Sequence, residues 1–169
     1  NYYAFEASPI NFKFLEKKIF KLNKNNINII NKAAGNSEEE TDFYQLDESS
    51  SSTMNKINHD SKYYKKKTFL INLFSLGKSK TIEFKLKPIL LSDFIDSNNI
   101  KKIDILKIDT EGYEFEILKG LKHKIKNVDI IYFEHHYDDM INKDYTFRDI
   151  NNYLKKNNFQ KIYRIKMPF

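Results

Sequence analysis

Carboxylate and imidazole side chains follow two aliphatic segments of this chain, and these are the groups that can perform acid–base chemistry. The candidates are Asp109, Glu111, Glu134, His135 and His136. A histidine titrates near neutral pH, so His135 or His136 is the candidate general base. Asp109 or Glu111 can then orient a hydroxyl group of a substrate. The chain contains no cysteine, which excludes a thiol nucleophile and a thiolate metal site.

The same groups have other interpretations that the sequence leaves open. Asp, Glu and His are suitable ligands for a divalent cation, although acids also cluster at strand ends without metal, so we favour hydrogen bonding and predict no metal. Asp109 can simply cap a helix. Glu134 can be a buried acid satisfied by backbone amides, and His135 a surface imidazole.

Two predicted strands place these groups at one edge of a sheet. Segments 103–108 and 128–133 have the β-branched and aliphatic composition of strands that are buried on both faces. A helix is predicted after the first of them, capped by Asp109 or Thr110 and ended by Gly120. Open α/β sheets carry their chemistry beyond the carboxyl ends of the strands, so the candidates are expected to lie close together.

A parallel crossover is predicted at the start of the chain. It consists of a strand at 2–5, a helix at 9–22 and a strand at 27–30. Ser8 is the expected N-cap and Pro9 the first helical residue. The apolar stripe expected to pack in the core comprises Phe12, Leu15, Ile19 and Leu22.

Weaker patterns complete an α/β domain with a mostly parallel sheet. Strands are predicted at 41–46, returning antiparallel, at 82–86 and at 159–165, and helices at 93–97 with Ser92 as the cap and from Thr146 to Asn157. Segment 69–74 is either a strand or a short packed helix, and the serine run 49–53 is a flexible loop or a pocket lining.

Length and charge set limits on the class of protein. The 169 residues fit a single domain spanning 1–169. The formal net charge of +6 comes from dispersed lysines, and the cluster 65–67 is interpreted as a solvated loop, so no specific nucleic-acid partner is expected. No apolar run approaches the roughly 20 residues that span a bilayer, and we expect no membrane association and a cytoplasmic location.

Several separated motifs resemble the FkbM-type S-adenosylmethionine-dependent methyltransferases. They are residues 5–9, residues 31–36, the serine run, residues 91–94, residues 106–114 and the strand end at Glu134. The string Lys-Ile-Asp-x-Glu-Gly-x-Glu within 106–114 is the most specific of them. The resemblance covers roughly residues 3–137 and departs at Ser92, where the family usually has an aspartate.

The resemblance implies a Rossmann-like fold, S-adenosylmethionine as cofactor, and O-methylation of a hydroxyl on a small-molecule or glycan-like acceptor. By position, Glu6 would accept hydrogen bonds from the cofactor ribose, while Ala33, Ala34 and Gly35 would flank the adenine. Asp109 and Glu111 would face the acceptor.

The first strand and the glycine-rich loop of that fold would precede Tyr2. We therefore expect a piece of a longer protein that also ends before the last strand and binds the cofactor incompletely by itself. In the family's strand order, the sheet would have a gap between the strand at 2–5 and the strand at 103–108. Direct hydrogen bonds between those two strands would contradict this expectation.

Two other classes of function stay open on the residues alone. A dinucleotide-dependent oxidoreductase would use an acid at Glu6 equally well. A non-catalytic binding module could contact nucleic acid through the Lys65 region. The oligomeric state is not encoded in any pattern that we recognise.

Overall fold

The computed structural model describes residues 1–46, 52–74, 81–135, 137 and 139–165, and for residues 46, 67 and 70–74 it describes the backbone alone. It shows a mixed α/β arrangement of short sheets, most of them parallel. The strands are β1 (Tyr2–Phe5), β2 (Ile27–Ile30), β3 (Ala34–Gly35), β4 (Thr41–Leu46), β5 (Ser52–Thr53), β6 (Thr81–Leu86), β7 (Ile89–Leu90), β8 (Ile103–Ile108) and β9 (Val128–Phe133). The helices are α1 (Pro9–Leu22), α2 (Lys62–Phe74), α3 (Leu91–Ser97), α4 (Glu114–Gly120) and α5 (Phe147–Lys156), and Lys122–Asn127 form a 3₁₀ segment.

The crossover β1–α1–β2 forms as predicted. β1 and β2 pair in parallel from Tyr2 opposite Ile27 onward. The Ser8 hydroxyl accepts a hydrogen bond from the Asn11 amide at 3.1 Å, and Pro9 is the first helical residue. Ser8 is fully buried, and its hydroxyl also donates to Gln45 Oε1 at 2.6 Å, which ties the start of α1 to β4.

The predicted core stripe of α1 is wrong as a description of burial. Phe12, Leu15 and Ile19 are half-buried, Leu22 is 56 % exposed, and α1 contains no buried residue. The helix lies against a sheet of two strands, and two strands about 4.8 Å apart are narrower than a helix with its side chains. The sheet therefore covers the helix only in part.

The strands β8 and β9 pair in parallel but are covered on one face alone. The covered face presents Leu106, Ile108, Ile131 and Phe133 to the core. On the other face, Ile105 is 63 % exposed and Tyr132 is 57 % exposed. The prediction that both faces of these strands are buried is therefore wrong.

β1 and β8 do not pair with each other. β1 pairs with β2 and β8 pairs with β9, and these pairs belong to separate sheets. Throughout the described part of the chain, no backbone hydrogen bond joins β1 to β8. The outcome that would have contradicted the expected strand order is thus not found.

The core is centred on α4. Its buried members are Leu91, Ile95, Ile108, Ile117, Leu118, Leu121, Ile125 and Ile150. Gly120 is the last residue of α4, so the helix ends where the sequence predicted, and Gly120 has no positive φ. A Cβ atom on residue 120 would overlap the carbonyl oxygen of Gly35. Gly120 therefore allows β3 to approach α4 closely.

A three-stranded antiparallel sheet forms the second part of the structure. β4 occupies the predicted residues 41–46, and it pairs antiparallel with β6 from Thr41 opposite Leu86, a pairing that the sequence did not predict. β5 adds Ser52 and Thr53 to the other edge of β4. Residues 47–51, which include most of the serine run, lie outside the described residues. β6 is half-exposed as expected, although Ile82 is 40 % exposed.

Helix α2 resolves one open prediction and corrects another. Segment 69–74 is helical, and the lysine cluster at 65–67 belongs to the same helix and not to a loop. Ser61 explains where this helix begins, since its hydroxyl accepts from the Tyr64 amide at 3.1 Å. Lys65 is exposed on the helix surface and pairs with Asp60 at 3.2 Å.

Two further predictions about elements are wrong. Helix α3 begins at Leu91, so Ser92 lies inside it, where its buried hydroxyl donates to Asp93 Oδ1 at 2.9 Å. Residues 159–165 form no strand, and Ile162 is 87 % exposed. None of the described strands pairs with this segment.

Helix α5 agrees with its prediction. Thr146 caps it in a capping box with Asp149, and Asn157 is the C-cap. No helix in the described ranges is both long enough and apolar enough to cross a membrane.

Candidate active site

The carboxyl ends of β8 and β9 lie side by side. Ile108, the last residue of β8, is opposite Phe133, the last residue of β9. The Glu134 amide then donates to the Ile108 carbonyl at 3.2 Å, which extends the pairing by one residue. The candidate groups that follow the two strands, Asp109, Glu111, Glu134 and His135, thus emerge at one edge of this sheet, as the sequence predicted.

Asp109 is a solvent-accessible carboxylate with one cationic neighbour. Its Oδ2 atom lies 2.6 Å from Lys107 Nζ, and the two side chains are 52 % and 58 % exposed. The hydrogen bond to Asp109 raises the pKa of Lys107. Solvent screens such a pair, so it contributes about 0–1 kcal/mol to stability. Asp109 is therefore not required by the fold.

The loop between β8 and α4, residues 109–113, is called the acid loop below. The buried side chain of Glu114 forms hydrogen bonds to this loop. Glu114 is fully buried. Its Oε1 atom accepts from the Gly112 amide at 3.0 Å and from the Thr110 hydroxyl at 3.2 Å, and its Oε2 atom accepts from the Tyr145 hydroxyl at 2.5 Å. Burial, and then the charge of Glu114, raise the pKa of Tyr145.

The prediction that Asp109 or Thr110 caps α4 is wrong. The N-cap is Tyr113, which makes no capping hydrogen bond through its side chain. Glu114 satisfies the Gly112 amide instead, and Gly112 adopts a φ of +79°, which bends the loop before the helix begins. Asp109 therefore does not cap the helix.

Residues of β5 and of the turn after it form hydrogen bonds to backbone carbonyls of the acid loop. The buried Thr53 hydroxyl donates to the Glu111 carbonyl at 2.6 Å, and the Asn55 side-chain amide donates to the Gly112 carbonyl. Thr53 Oγ1 also accepts from the Asn55 backbone amide at 3.0 Å. These contacts fix the backbone of the loop at Glu111 and Gly112.

The segment 139–143 closes the other side of the loop. It pairs with the turn after β5, since the Asn58 amide donates to the Met140 carbonyl at 2.8 Å and the Asn142 amide to the Lys56 carbonyl at 3.0 Å. A Cβ atom on residue 112 would lie 2.9 Å from Ile141 Cγ2. The acid loop is therefore enclosed by two segments distant in sequence.

His135 is half-buried among aromatic rings. Its ring centroid lies 4.8 Å from that of Tyr137, 5.7 Å from that of Phe147 and 6.0 Å from that of Tyr145. The interpretation of His135 as a surface imidazole is thus wrong, and so is that of Glu134 as a buried acid, because Glu134 is exposed. His136 lies outside the described residues.

An arginine lies against the same rings. The Arg164 guanidinium carbon is 5.1 Å from the Phe147 ring centroid and 5.6 Å from that of Tyr137. Its Nη2 atom donates to the Tyr137 hydroxyl at 2.9 Å. No pattern in the sequence placed Arg164 at the site.

Glu6 lies at the carboxyl end of β1, as predicted. Its amide donates to the Ile30 carbonyl at 3.0 Å, and its Oε1 atom accepts from the Ser8 amide at 2.8 Å. Burial raises the pKa of Glu6, and the Ser8 hydrogen bond offsets part of that rise. An open surface depression of about 430 Å³ lies beside it, lined by Glu6, Asn11, Phe14, Leu15 and Lys18.

Ala33, Ala34 and Gly35 lie where β3 packs into the interior. The Ala33 carbonyl accepts from the Ile89 amide at 2.9 Å, and Ala33 and Gly35 are buried. A Cβ atom on residue 35 would lie 3.1 Å from Pro88 Cβ. Packing accounts for the small residues here, and their contact with an adenine stays a prediction.

Several residues of the site were not predicted from the sequence. Glu114 falls in the first turn of the predicted helix, where an acid is common, and no pattern indicated that it would be buried. Thr53 was part of the serine run, and Asn55 and Tyr145 carried no pattern. The one available signal was that the motif at 106–114 contains more acids than capping requires.

No three His, Cys, Asp or Glu side chains among the residues described here converge as metal ligands do.

Comparison with known proteins agrees with this arrangement. A stretch of 51 residues, 30 % of this chain, is 31 % identical to the hexuronic acid methyltransferase AglP of Haloferax volcanii and spans 21 % of that protein. No solved structure matches the chain. The family model of the methyltransferase FkbM domain matches residues 1–161. The chain therefore belongs to the FkbM methyltransferase family.

Proposed function

We propose that this chain forms the acceptor side, and part of the cofactor side, of an S-adenosylmethionine-dependent O-methyltransferase with a Rossmann-like sheet. The observation that carries the proposal is the pairing of the carboxyl ends of β8 and β9, which Asp109, Glu111, Glu134 and His135 follow. Membership of a methyltransferase family supports methyl transfer over a dinucleotide-dependent oxidation. The related protein named for hexuronic acid supports a sugar hydroxyl as the acceptor.

The acceptor hydroxyl must be oriented and must lose its proton. When bound, S-adenosylmethionine supplies an electrophilic methyl group. In our proposal Asp109 and Glu111 accept hydrogen bonds from acceptor hydroxyls, and the hydroxyl proton passes to His135. His135 Nδ1 is inaccessible to solvent, which leaves Nε2 as the atom that takes the proton. Glu134, exposed next to His135, stabilises the resulting imidazolium by its charge.

Glu6 fits its proposed role at the ribose of the cofactor. One of its carboxylate oxygens is used by the Ser8 amide, and a carboxylate retains further acceptor positions for the two hydroxyls of a diol. The surface depression beside Glu6 leaves its carboxylate accessible to a ligand. Asn31 donates to the Glu6 carbonyl at 2.8 Å and so links Glu6 to the segment that contains Ala33, Ala34 and Gly35, the proposed adenine side.

The proposal is tested with the full-length protein and the variants Asp109→Asn and Glu111→Gln. Methyl transfer to a panel of sugars is followed by mass spectrometry, and affinity for S-adenosylmethionine by calorimetry. We expect turnover to fall by roughly 100-fold or more, the range of a lost acid–base or orienting group, with cofactor affinity nearly unchanged. The matched control is Asp104→Asn, because Asp104 is an exposed acid on β8 away from its carboxyl end.

Two results would overturn the proposal. Wild-type turnover in both site variants would show that these acids do not contact the acceptor. A folded full-length protein that shows no saturable binding of S-adenosylmethionine would exclude this cofactor.

A further inference from the structure

We propose that Arg164, held on the rings of Tyr137 and Phe147, binds a carboxylate of the acceptor, so that the acceptor is an acidic sugar. This inference rests on the proposed methyl transfer to a sugar hydroxyl. It adds to that proposal a residue that recognises the acceptor and a charge that the acceptor must carry.

The geometry of Arg164 suits the recognition of a planar anion. The guanidinium lies 5.1 Å from the Phe147 ring centroid and 5.6 Å from that of Tyr137, and one N–H donates to the Tyr137 hydroxyl. The remaining N–H groups form a planar fork that matches a carboxylate in a bidentate arrangement. Because the rings already restrict the side chain, little conformational entropy is left to lose on binding.

The position of Arg164 connects it to the proposed general base. Tyr137 and Phe147, the two rings beneath the guanidinium, are also the rings that pack on His135, at 4.8 Å and 5.7 Å. The cation is thus one aromatic ring away from the imidazole. A single sugar acid can place its carboxylate at Arg164 and a ring hydroxyl near His135.

The charges around the strand ends make a cation necessary for an acidic acceptor. Asp109, Glu111 and Glu134 are acids at the same edge of the sheet and would repel a carboxylate. Lys107 is already paired with Asp109 at 2.6 Å. Arg164 has no carboxylate within ion-pair distance among the residues that the structure describes. Its guanidinium lies on Tyr137 and Phe147, two of the rings that pack on His135.

The choice of arginine at this position is itself informative. Only two of the 29 basic residues of the chain are arginines, so lysine is the ordinary cation here. A lysine would keep the charge of Arg164 but would lose the planar fork and most of the ring stacking. An alternative role for Arg164 is to attach residues 159–165 to α5, and the experiment must separate the two roles.

The test compares Arg164→Lys with the matched control Arg148→Lys in the full-length enzyme. Arg148 is exposed on α5, and both substitutions keep the net charge. The acceptors are methyl β-glucuronide and methyl β-glucoside, which differ in the carboxylate. We expect the wild type and the control to prefer the glucuronide. In Arg164→Lys the KM for the glucuronide should rise by roughly 10- to 100-fold with kcat little changed, and the glucoside should be unaffected.

Binding of the two glycosides, followed by NMR chemical shifts, measures the same preference without turnover. Equal binding of both by the wild type would overturn the proposal, as would an unchanged glucuronide KM in Arg164→Lys. If Arg164→Lys weakens both acceptors equally and speeds hydrogen exchange in residues 159–165, the arginine only attaches the chain there. Transfer to the glucoside alone would contradict the acidic acceptor while leaving methyl transfer to a sugar intact.

Discussion

Replacing Tyr145 by Phe removes one hydroxyl from the network that holds the acid loop. That hydroxyl donates to Glu114 Oε2 at 2.5 Å, and Glu114 is fully buried. A hydrogen bond to a charged group contributes about 1.5–3 kcal/mol. The ring is retained, so its contact with Phe115, at 5.3 Å between centroids, is preserved. We therefore expect the free energy of unfolding to fall by about 2 kcal/mol, or roughly 4–8 °C in Tm for a domain of this size.

Tyr153→Phe is the matched control. The Tyr153 hydroxyl donates to the Leu118 carbonyl at 3.2 Å, and its ring also packs on Phe115. The same atom is removed, but the acceptor is an uncharged carbonyl, so the expected loss is about 0.5–1.5 kcal/mol. Both losses in unfolding free energy are measured by urea unfolding, in which the dependence of that free energy on urea concentration should be the same in the variants and the wild type. A loss in Tyr145→Phe no larger than that in Tyr153→Phe would refute the conclusion that a buried, charged Glu114 is the centre of this network.

Ionisation of Tyr145 makes the free energy of unfolding depend on pH in the alkaline range. Burial and the charge of Glu114 raise the pKa of Tyr145 above its ordinary value of 10.0, so the native state holds this proton more tightly than the unfolded chain does. The resulting stabilisation is complete below about pH 10 and is lost as the pH rises further. Unfolding experiments between about pH 9 and pH 11 should show a smaller loss of stability in Tyr145→Phe than in the wild type.

Three further substitutions test other parts of the structure. Gly120→Ala should lower stability by about 3 kcal/mol or more in urea unfolding, because its methyl group meets the Gly35 carbonyl, and a neutral effect would contradict that contact. Glu6→Gln should raise the midpoint of urea unfolding at pH 7 and raise it much less at pH 4. Burial raises the pKa of Glu6, so its ionised form at pH 7 opposes folding. Glu16→Gln, at an exposed position, is the control, and an equal effect in both variants would refute the argument. Thr146→Ala should cost about 1 kcal/mol in thermal unfolding through loss of the capping box, and no change would show that the cap is dispensable.

Local patterns predicted the elements whose ends are determined by adjacent residues. Ser8 and Pro9 specified the start of α1, and Thr146 specified the start of α5, because a cap is a contact between neighbours in sequence. The strand ends that bring the acids together were predicted for a related reason. The composition of β8 and β9 is that of paired strands, and parallel pairing aligns their carboxyl ends.

Features that depend on distant segments were not predictable in the same way. The apolar residues of 159–165 resemble a strand, but no pattern in the sequence says whether an edge is available to pair with them. The composition of β8 is compatible with burial on both faces, whereas the exposure of Ile105 depends on which elements cover the sheet. In the sequence Glu114 resembles any acid in the first turn of a helix. Its hydrogen bond with Tyr145, which lies far along the chain, is visible only in the structure.

The contact between α4 and β3 limits how the sequence of this protein can change. A side chain at position 120 would meet a backbone oxygen of residue 35, and every amino acid carries that oxygen. No substitution at position 35 can therefore rescue a larger residue at position 120. A genetic selection for suppressors of Gly120→Ala should return changes that shift the strand itself, for example at Pro88 or in β7, and none at Gly35. The two glycines touch, yet their tolerated substitutions are not expected to covary.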